Sequence, residues 1–148
     1  MEKIINPYIN RPDYNCFGCS PENKFGLQMS FFEEEDEVLS IWQPQPHFAG
    51  YKNVLHGGII STLIDEIAAW TVTGKLHLTG VTSKIEVKYL KPVFIDKGNI
   101  TLKSKIVSNS HKLAEINVKI FDSNNTLCTI GTVFYYILDK EKTENLLF

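Results

Sequence analysis

The chain has 148 residues, a hydrophobic fraction of 43%, a charged fraction of 22% and a formal net charge of −2. This length fits one domain built on one core. A slightly acidic chain lacks the basic excess typical of nucleic-acid-binding proteins, and no apolar run approaches the roughly 20 residues needed to cross a bilayer. We therefore expect a globular protein with no nucleic-acid partner and no membrane partner.

The first residues and the cysteines both favour a cytoplasmic location. Residues 1–15 lack the basic segment followed by an apolar segment that marks a signal peptide. The three cysteines are few and odd in number, which does not suit a disulfide framework and agrees with a reducing compartment.

The first part of the chain predicts an irregular segment followed by a hairpin. Residues 1–25 hold three of the six prolines and are predicted to be an irregular lead-in. Residues 26–32 alternate apolar and polar side chains, which predicts a strand. Residues 33–37 predict a turn, and residues 38–42 predict the second strand of the hairpin.

Residues 57–74 form the one convincing helical segment. Ile60, Leu63, Ile64 and Ile67 recur at helical spacing, and further apolar residues widen this face. A helix this apolar must be covered on most sides. No other segment is convincingly helical, so the cover must come from strands.

Four long alternating segments supply those strands: residues 81–90, 100–107, 113–121 and 127–138. The last ten residues, 139–148, are predicted to be a C-terminal tail. Residues 1–148 are most simply explained as a single α+β domain in which a curved antiparallel sheet wraps around one central helix.

A sheet wrapped around one helix leaves an edge strand unpaired and part of the apolar flank uncovered. Pairing of edge strands between two copies would cover both. We therefore expect a homodimer that extends the sheet, with a dimer of dimers as the larger alternative.

Two glycines, Gly57 and Gly58, lie where a loop meets the start of the helix. The first N–H groups of a helix lack partners within it and suit an oxygen that gains negative charge, as in an acyl thioester under attack. Tight packing and phosphate binding remain as alternatives, although no nucleotide-binding motif is present.

Asp65 is a carboxylate in the middle of this apolar helix. On a helical wheel it points to the side of Ser61 and away from Ile64. Its burial costs several kcal/mol unless it is partnered or used, although Asp65 and the following Glu66 could both face water. About 12 Å of helix separates Asp65 from Gly57, so a site that uses both on one carbonyl must combine two chains.

Cys16 and Cys19 form a Cys-x-x-Cys pair. A structural zinc needs four ligands, and the chain has neither a second such pair nor a pair of closely spaced histidines. The pair also precedes a turn rather than a helix, unlike a thioredoxin-type site. We expect no metal site and interpret the pair as structural, with zinc or redox chemistry as the alternatives.

Four segments together resemble a known family. They are Cys16-Phe17-Gly18-Cys19-Ser20-Pro21-Glu22-Asn23 with Gly26-Leu27, His56-Gly57-Gly58 with Asp65 nine positions after the histidine, Gly80-Val81-Thr82, and Tyr89-Leu90-Lys91-Pro92. Over roughly residues 16–138 the chain is similar to the hotdog-fold acyl-CoA thioesterases, in particular their PaaI-like branch.

The resemblance implies hydrolysis of an acyl-CoA, or a similar acyl thioester, at a site shared between two subunits. It implies that the backbone N–H of Gly57 or Gly58 binds the thioester carbonyl, and that Asp65 of the other chain is the nucleophile or general base. Thr82 would position water or the carboxylate. His56 would orient the loop or contact the substrate, with capping or packing as its alternative role.

The resemblance also implies a wider set of substrate-binding residues: Asn53, Ser61, Glu66, Lys84 and Lys91. The two lysines are candidates for the phosphates of coenzyme A, which enters only as part of the substrate, so no cofactor is expected. Many relatives carry an Asn six positions before the histidine, where this chain has Gly50, and Asn53 is the candidate substitute.

Two other functions stay open. A hotdog-fold hydratase or dehydratase commonly has an Asp-x-x-x-x-His segment, which this chain lacks. A non-catalytic acyl-CoA binding module would keep the fold and the glycines but could lose the acid. The presence of Asp65 and Thr82 favours the enzyme.

Overall fold

A computed structural model of the chain describes residues 1–147, with side chains through residue 144. Within those residues, seven strands and two α-helices follow one another along the chain. They are β1 (Glu2–Lys3), β2 (Phe32–Glu34), β3 (Glu37–Trp42), α1 (Gly57–Leu76), β4 (Thr79–Tyr89), β5 (Ile100–Ser110), β6 (Leu113–Phe121), β7 (Leu127–Leu138) and α2 (Lys140–Leu147).

The strands form a single antiparallel sheet in the order β1-β2-β3-β5-β6-β7-β4. Helix α1 packs against β3, β4, β5, β6 and β7. A curved antiparallel sheet around one long helix is the hotdog fold, so the predicted fold class is confirmed. No helix between residues 1 and 147 is both long enough and apolar enough to span a membrane.

The core lies between α1 and the sheet. Leu63, Ile64 and Ile67 of α1 are fully buried, as the helical periodicity predicts. They meet inward-facing residues of β5, β6 and β7, among them Leu102, Ile116, Val118, Ile120 and Val133. Because each such side chain stabilises the fold by about 1.5–3 kcal/mol when buried, this helix–sheet contact dominates the stability of the domain.

Strand β4 is an edge of the sheet. It pairs with β7 on one side, and no strand within residues 1–147 pairs with its other side. Val81 and Tyr89 of β4 are 40% and 51% exposed. The chain by itself therefore presents a long unpaired strand edge, as the sequence predicts for one subunit of a sheet-extended dimer.

A β-bulge at Ser83 changes which side chains of β4 face the helix. Thr82 is opposite Tyr135 and Lys84 is opposite Phe134, so Ser83 has no partner in the register. Simple alternation would put Thr82 and Tyr89 on opposite faces. The extra residue brings both to the helix side, so the prediction of unbroken alternation through this strand was wrong.

Residues 26–31 do not form the predicted strand. The side chains of Leu27, Met29 and Phe31 are buried as the alternation predicts. The backbone nevertheless bonds to the lead-in: Leu27 N–H donates to the carbonyl of Phe17 at 2.7 Å and Met29 N–H to that of Gly18 at 3.0 Å. Alternating hydrophobicity reports which side chains are buried, and here an irregular segment meets the same requirement.

The predicted C-terminal tail contains α2, so the expectation of a single helix was wrong. The sequence of α2 is polar and lacks an apolar stripe that a periodicity analysis could detect. Its first turn is held by Asp139, whose carboxylate accepts from Lys142 N–H at 2.8 Å. This is the N-cap arrangement in which a short polar side chain satisfies a free backbone donor.

Gly131 in β7 is required by the packing of α1 on the sheet. A Cβ added there would lie 2.7 Å from Cγ2 of Ile64. We expect Gly131→Ala to lower the free energy of unfolding by about 1–3 kcal/mol, because the close-packed core cannot absorb the methyl group without strain. Urea unfolding measures this change.

Ile64→Ala provides the matched control, because it removes the atoms that the added Cβ would meet. By itself this variant should cost about 2–5 kcal/mol. In the double variant the two costs should fall short of their sum by about 1 kcal/mol or more. Strict additivity would show that the two positions do not meet in the folded protein.

Candidate functional site

His56 is the N-cap of α1. Its Nδ1 accepts a hydrogen bond from the backbone N–H of Gly58 at 2.9 Å, and its own N–H donates to the carbonyl of Phe48 at 3.0 Å. Since Nδ1 accepts, the proton of the neutral imidazole lies on Nε2. The capping role is therefore present in the structure, and Nε2–H stays available to the solvent side.

The two glycines have different hydrogen-bonding states. The N–H of Gly58 is occupied by His56. The N–H of Gly57 has no acceptor among residues 1–147. Of the two donors implied by the resemblance, Gly57 is the one free to bind a ligand oxygen.

Tyr89 of β4 lies against the start of α1. Its hydroxyl donates to the carbonyl of Gly57 at 2.7 Å and lies 2.9 Å from Oγ of Ser61. Because the single phenolic proton goes to Gly57, Ser61 donates to the tyrosine oxygen. The predicted substrate-binding residue Ser61 is therefore part of a bonded group that holds the helix tip against the edge strand.

Asp65 lies further along the same side of α1 and is half-buried. The hydroxyl of Thr82 donates to its Oδ1 at 2.6 Å. Tyr135 lies opposite Thr82 on β7. Burial raises the pKa of its hydroxyl, and the nearby charges of Asp65 and Glu66 raise this pKa further. Asp65 thus keeps one carboxylate oxygen free of protein partners within the described residues.

The helix tip and the carboxylate are two separate groups on one flank of α1. Gly57 contacts Tyr89, whereas Asp65 contacts Thr82, seven residues earlier on the same strand. Eight helical residues span about 12 Å. A single substrate carbonyl cannot touch both groups within one chain.

Asn53 and Gly50 lie in the loop before the helix, but their roles differ. The side chain of Asn53 is bonded at both ends to Asp96: Nδ2 donates to Oδ1 at 2.8 Å, and Oδ1 accepts from the backbone N–H at 3.2 Å. Gly50 is the residue beside His56, since a Cβ there would lie 3.3 Å from the imidazole Cδ2. Gly50, His56 and Gly57 line, with neighbouring residues, a surface hollow of about 540 Å³. Asn53 does not line this hollow.

The two candidate lysines lie in different places. Lys84 follows the bulge and points to the outer face, where it pairs with Glu86 at 2.8 Å and lies over the ring of Phe134. Lys91 is exposed just after β4, and its backbone N–H donates to the carbonyl of Cys128. Lys91 is near the helix-tip end of β4, and Lys84 is not on its helix side.

Glu66 does not join the Asp65 group. Its Oε1 accepts from the indole N–H of Trp70 at 3.2 Å and from the thiol of Cys16 at 3.5 Å. Together with Tyr14 and Tyr135 these residues line a cavity of about 530 Å³ between the lead-in and α1. The indole of Trp70 supplies an apolar wall of this cavity.

Comparison with known proteins gives the family of the chain. Residues 52–129, which include the helix tip, Asp65 and Thr82, match the model of the thioesterase superfamily. Because this match covers more than half of the chain, the protein belongs to the thioesterase superfamily.

Two curated relatives are matched over only part of their length. A Saccharolobus solfataricus protein with a provisional esterase name is 27% identical over 94 residues, which are 62% of this chain and 61% of that protein. The mouse acyl-coenzyme A thioesterase THEM4 (Mus musculus) is 29% identical over 138 residues, 85% of this chain and 55% of that protein. The chain spans about three fifths of the first and just over half of the second.

A solved structure gives independent support for the fold. A hypothetical thioesterase protein of Streptococcus pneumoniae, crystallised with coenzyme A, matches with a TM-score of 0.67 at 23% identity, over 74% of this chain and 87% of that one. At this level of identity, the similarity supports the hotdog fold alone.

Tyr89 is the site residue that the sequence analysis missed. It was noted only as part of the Tyr89-Leu90-Lys91-Pro92 segment, and simple alternation put it on the face opposite Thr82. The bulge at Ser83 places Tyr89 and Thr82 on the same face of β4. It could not be predicted from the sequence, because serine is common in regular strands as well as in bulges. The tyrosine itself, an amphipathic residue beside a turn, was the available signal.

The cap at His56 predicts a measurable stability effect. His56→Ala should lower the free energy of unfolding by about 1 kcal/mol, because the N–H of Gly58 loses its acceptor. His56→Asn should remain close to the native protein, since an amide oxygen can cap the helix. Equal losses in the two variants, measured by chemical denaturation, would show that the acceptor is not what His56 contributes.

Proposed function

We propose that this protein hydrolyses acyl-CoA, or a closely related acyl thioester, to the free acid and thiol at a site shared by two subunits. The observation that carries the proposal is the Asp65 carboxylate, half-buried on a mostly apolar helix and held by the hydroxyl of Thr82. A charge in such a position is costly and is kept where it is used. Membership of the thioesterase superfamily and the resemblance to its PaaI-like branch give the reaction class.

The carbonyl of the thioester would bind at the tip of α1. The N–H of Gly57 is free, the helix dipole points its positive end there, and His56 carries a second donor at Nε2. A donor aimed at a developing oxyanion contributes roughly 3 kcal/mol to catalysis. Tyr89 and Ser61 would act as positioning residues that hold this tip.

Asp65 of the other subunit would face the same carbonyl. It acts either as the base that takes a proton from water or as the nucleophile itself. In the base route, water forms the new carbon–oxygen bond, the oxyanion is held by Gly57, the carbon–sulfur bond breaks, and the proton taken from water passes to the leaving thiolate. In the nucleophile route, the carboxylate forms an anhydride with the acyl group as the carbon–sulfur bond breaks and the thiolate takes a proton from solvent. Water then cleaves this anhydride, which gives the free acid and restores Asp65.

The unpaired edge of β4 is the feature that supports a shared site. Pairing of two β4 strands around a two-fold axis would set the two α1 helices side by side in opposite directions, so that each tip meets the other chain's carboxylate. Thr82 and Tyr89 both lie on this strand, so the interface would hold both groups in place. We propose a homodimer as the active unit.

The phosphates of coenzyme A would lie near the end of β4. Lys91 is exposed there, two residues after Tyr89, whereas Lys84 is paired with Glu86 on the outer face. Asn53 is tied to Asp96 and would shape the loop rather than touch the carbonyl. Lys91 is therefore the preferred contact for the negatively charged part of the substrate.

Replacement of the carboxylate tests the catalytic role. Asp65→Asn should lower kcat for acyl-CoA hydrolysis by about 100-fold or more, because the amide can act neither as base nor as nucleophile. Thiol release from a panel of acyl-CoAs measures it. Acyl-CoA binding and the dimer, followed by calorimetry and size-exclusion chromatography, should persist.

Asp36→Asn is the matched control. Asp36 is an exposed carboxylate in the turn between β2 and β3, where it pairs with Lys105. These strands are separated from β4 by β5, β6 and β7 in the sheet. The turnover of this variant should equal that of the native protein. Unchanged turnover in Asp65→Asn would refute the hydrolase mechanism. Binding without turnover in the native protein would favour the non-catalytic acyl-CoA module.

A mixing experiment tests whether the site is shared. Gly57→Pro removes only the proposed N–H donor: proline is favoured at the first helical position, and His56 has the extended backbone (φ −60°, ψ 134°) that a following proline requires. We expect it to lower kcat by about 100-fold. Gly57→Ala keeps the N–H and should remain active.

Mixed subunits of Asp65→Asn and Gly57→Pro should regain activity. In a hybrid dimer one site receives both native groups and the other receives neither, so an equal mixture of exchanged subunits should recover about a quarter of the native rate. If each site lay within one chain, every site would keep one defect. No recovery in dimers shown to have exchanged would therefore refute the shared site while leaving the hydrolase proposal standing.

A further inference from the structure

The Cys-x-x-Cys pair meets a carboxylate that lies about fifty residues away along the chain. The Sγ atoms of Cys16 and Cys19 and a carboxylate oxygen of Glu66 all lie within 4.8 Å of one another. Both cysteines are free thiols, Cys16 half-buried and Cys19 buried. The two thiols are recognisable from the sequence as candidate metal ligands, and the fold adds the Glu66 carboxylate as a third.

The surroundings hold these three groups close together. Trp70 donates to Oε1 of Glu66, and the phenol of Tyr14 lies 2.8 Å from Sγ of Cys19. Gly18, between the two cysteines, lies directly over Glu66, and an added Cβ would overlap its carboxylate carbon. The absence of a side chain at Gly18 lets the loop close onto the acid.

The separation of the donors suits a thiophilic divalent cation. Zinc binds thiolate sulfur at about 2.3 Å and carboxylate oxygen at about 2.0–2.2 Å, so neighbouring ligand atoms of a tetrahedral site lie roughly 3.4–3.8 Å apart. Because the three atoms lie within 4.8 Å of one another, each pair needs to approach by at most about 1.4 Å to reach that spacing. All three residues line the cavity of about 530 Å³, from which water can reach the fourth position.

We propose that Cys16, Cys19 and Glu66 bind one zinc-class divalent cation, with a water molecule from the adjacent cavity as the fourth ligand. Each cysteine binds as a thiolate, so its proton passes to solvent. The ion would tie the irregular lead-in to the turn of α1 that carries Asp65. This departs from the expectation of no metal site, which counted only cysteines and histidines.

Cobalt binding tests the proposal on the full chain. Reduced, metal-free protein titrated with Co²⁺ should develop the thiolate-to-cobalt band of the near ultraviolet and the visible bands of a tetrahedral ion, saturating at one ion per chain. Zn²⁺ should displace the cobalt. Zn²⁺ should also raise the Tm, because an ion that binds only the folded state stabilises it.

Three variants and one control identify the ligands. Cys16→Ser and Cys19→Ser should each lower the near-ultraviolet intensity, because one of the two thiolates is removed, and Glu66→Gln should weaken Co²⁺ binding by about tenfold or more. Cys128→Ser is the control, since this buried thiol donates to the carbonyl of Thr126, outside the cluster. Its cobalt spectrum should match that of the native protein.

Several outcomes would overturn the site. They are a folded native protein that develops no thiolate–cobalt band, a band of unchanged intensity in either cysteine variant, or equal affinity in Glu66→Gln. If a cysteine variant fails to fold by circular dichroism, the native titration and Glu66→Gln decide the matter. A mass lower by two hydrogens before reduction, with no metal bound after it, would favour a disulfide. Acyl-CoA hydrolysis is assayed separately, so failure here leaves the proposed function intact.

Discussion

Burial of the apolar helix α1 sets the shape of the sheet and the position of the candidate site. Leu63, Ile64 and Ile67 are fully buried, and the sheet must curve around the helix to exclude water from them. One sheet cannot cover a helix on every side. The flank that it leaves open carries the helix tip and Asp65, so the same geometric limit that leaves this flank uncovered also creates the candidate site.

Strand β4 borders that flank, and it contributes both apolar side chains to the core and polar side chains to the site. Ile85 and Val87 of β4 pack against the core, as an ordinary inner strand would. Thr82 and Tyr89, on the same side of the strand, hydrogen-bond to Asp65 and to the start of α1. The bulge at Ser83 is the reason that both side chains lie on the helix side of β4. The extra residue reverses the inward and outward alternation of the residues that follow it.

The lead-in covers the other end of the same helix in a different way. Its strand β1 has two residues and pairs with β2 of the sheet, and the carbonyls of Phe17 and Gly18 accept from residues 27 and 29. Tyr14 and Cys16 approach Trp70 and Glu66 of α1 around a cavity. The carboxylates of Asp65 and Glu66 are adjacent in the sequence, yet they belong to separate groups because successive helical residues point about 100° apart.

The sequence by itself determined what local periodicity and residue chemistry can report. The start of α1, the four long strands, the antiparallel sheet around one helix and the carboxylate at Asp65 follow from repeating patterns that a short window contains, whereas α1 ends two residues later than predicted. The resemblance to the thioesterases supplied Thr82 as a partner for Asp65, and the structure has that contact. In residues 26–31 the pattern gave the correct buried side chains but the wrong backbone.

Contacts between residues distant in sequence became known from the folded chain. Tyr89 at the helix tip, Asn53 with Asp96, and Glu66 with the cysteine pair are contacts between residues far apart in sequence, and no periodicity encodes them. The bulge at Ser83 likewise arises from register against β7 and not from any preference of serine. The physical reason is the same in each case: a side chain's neighbours are set by how whole elements pack, whereas its sequence context sets only its own local conformation.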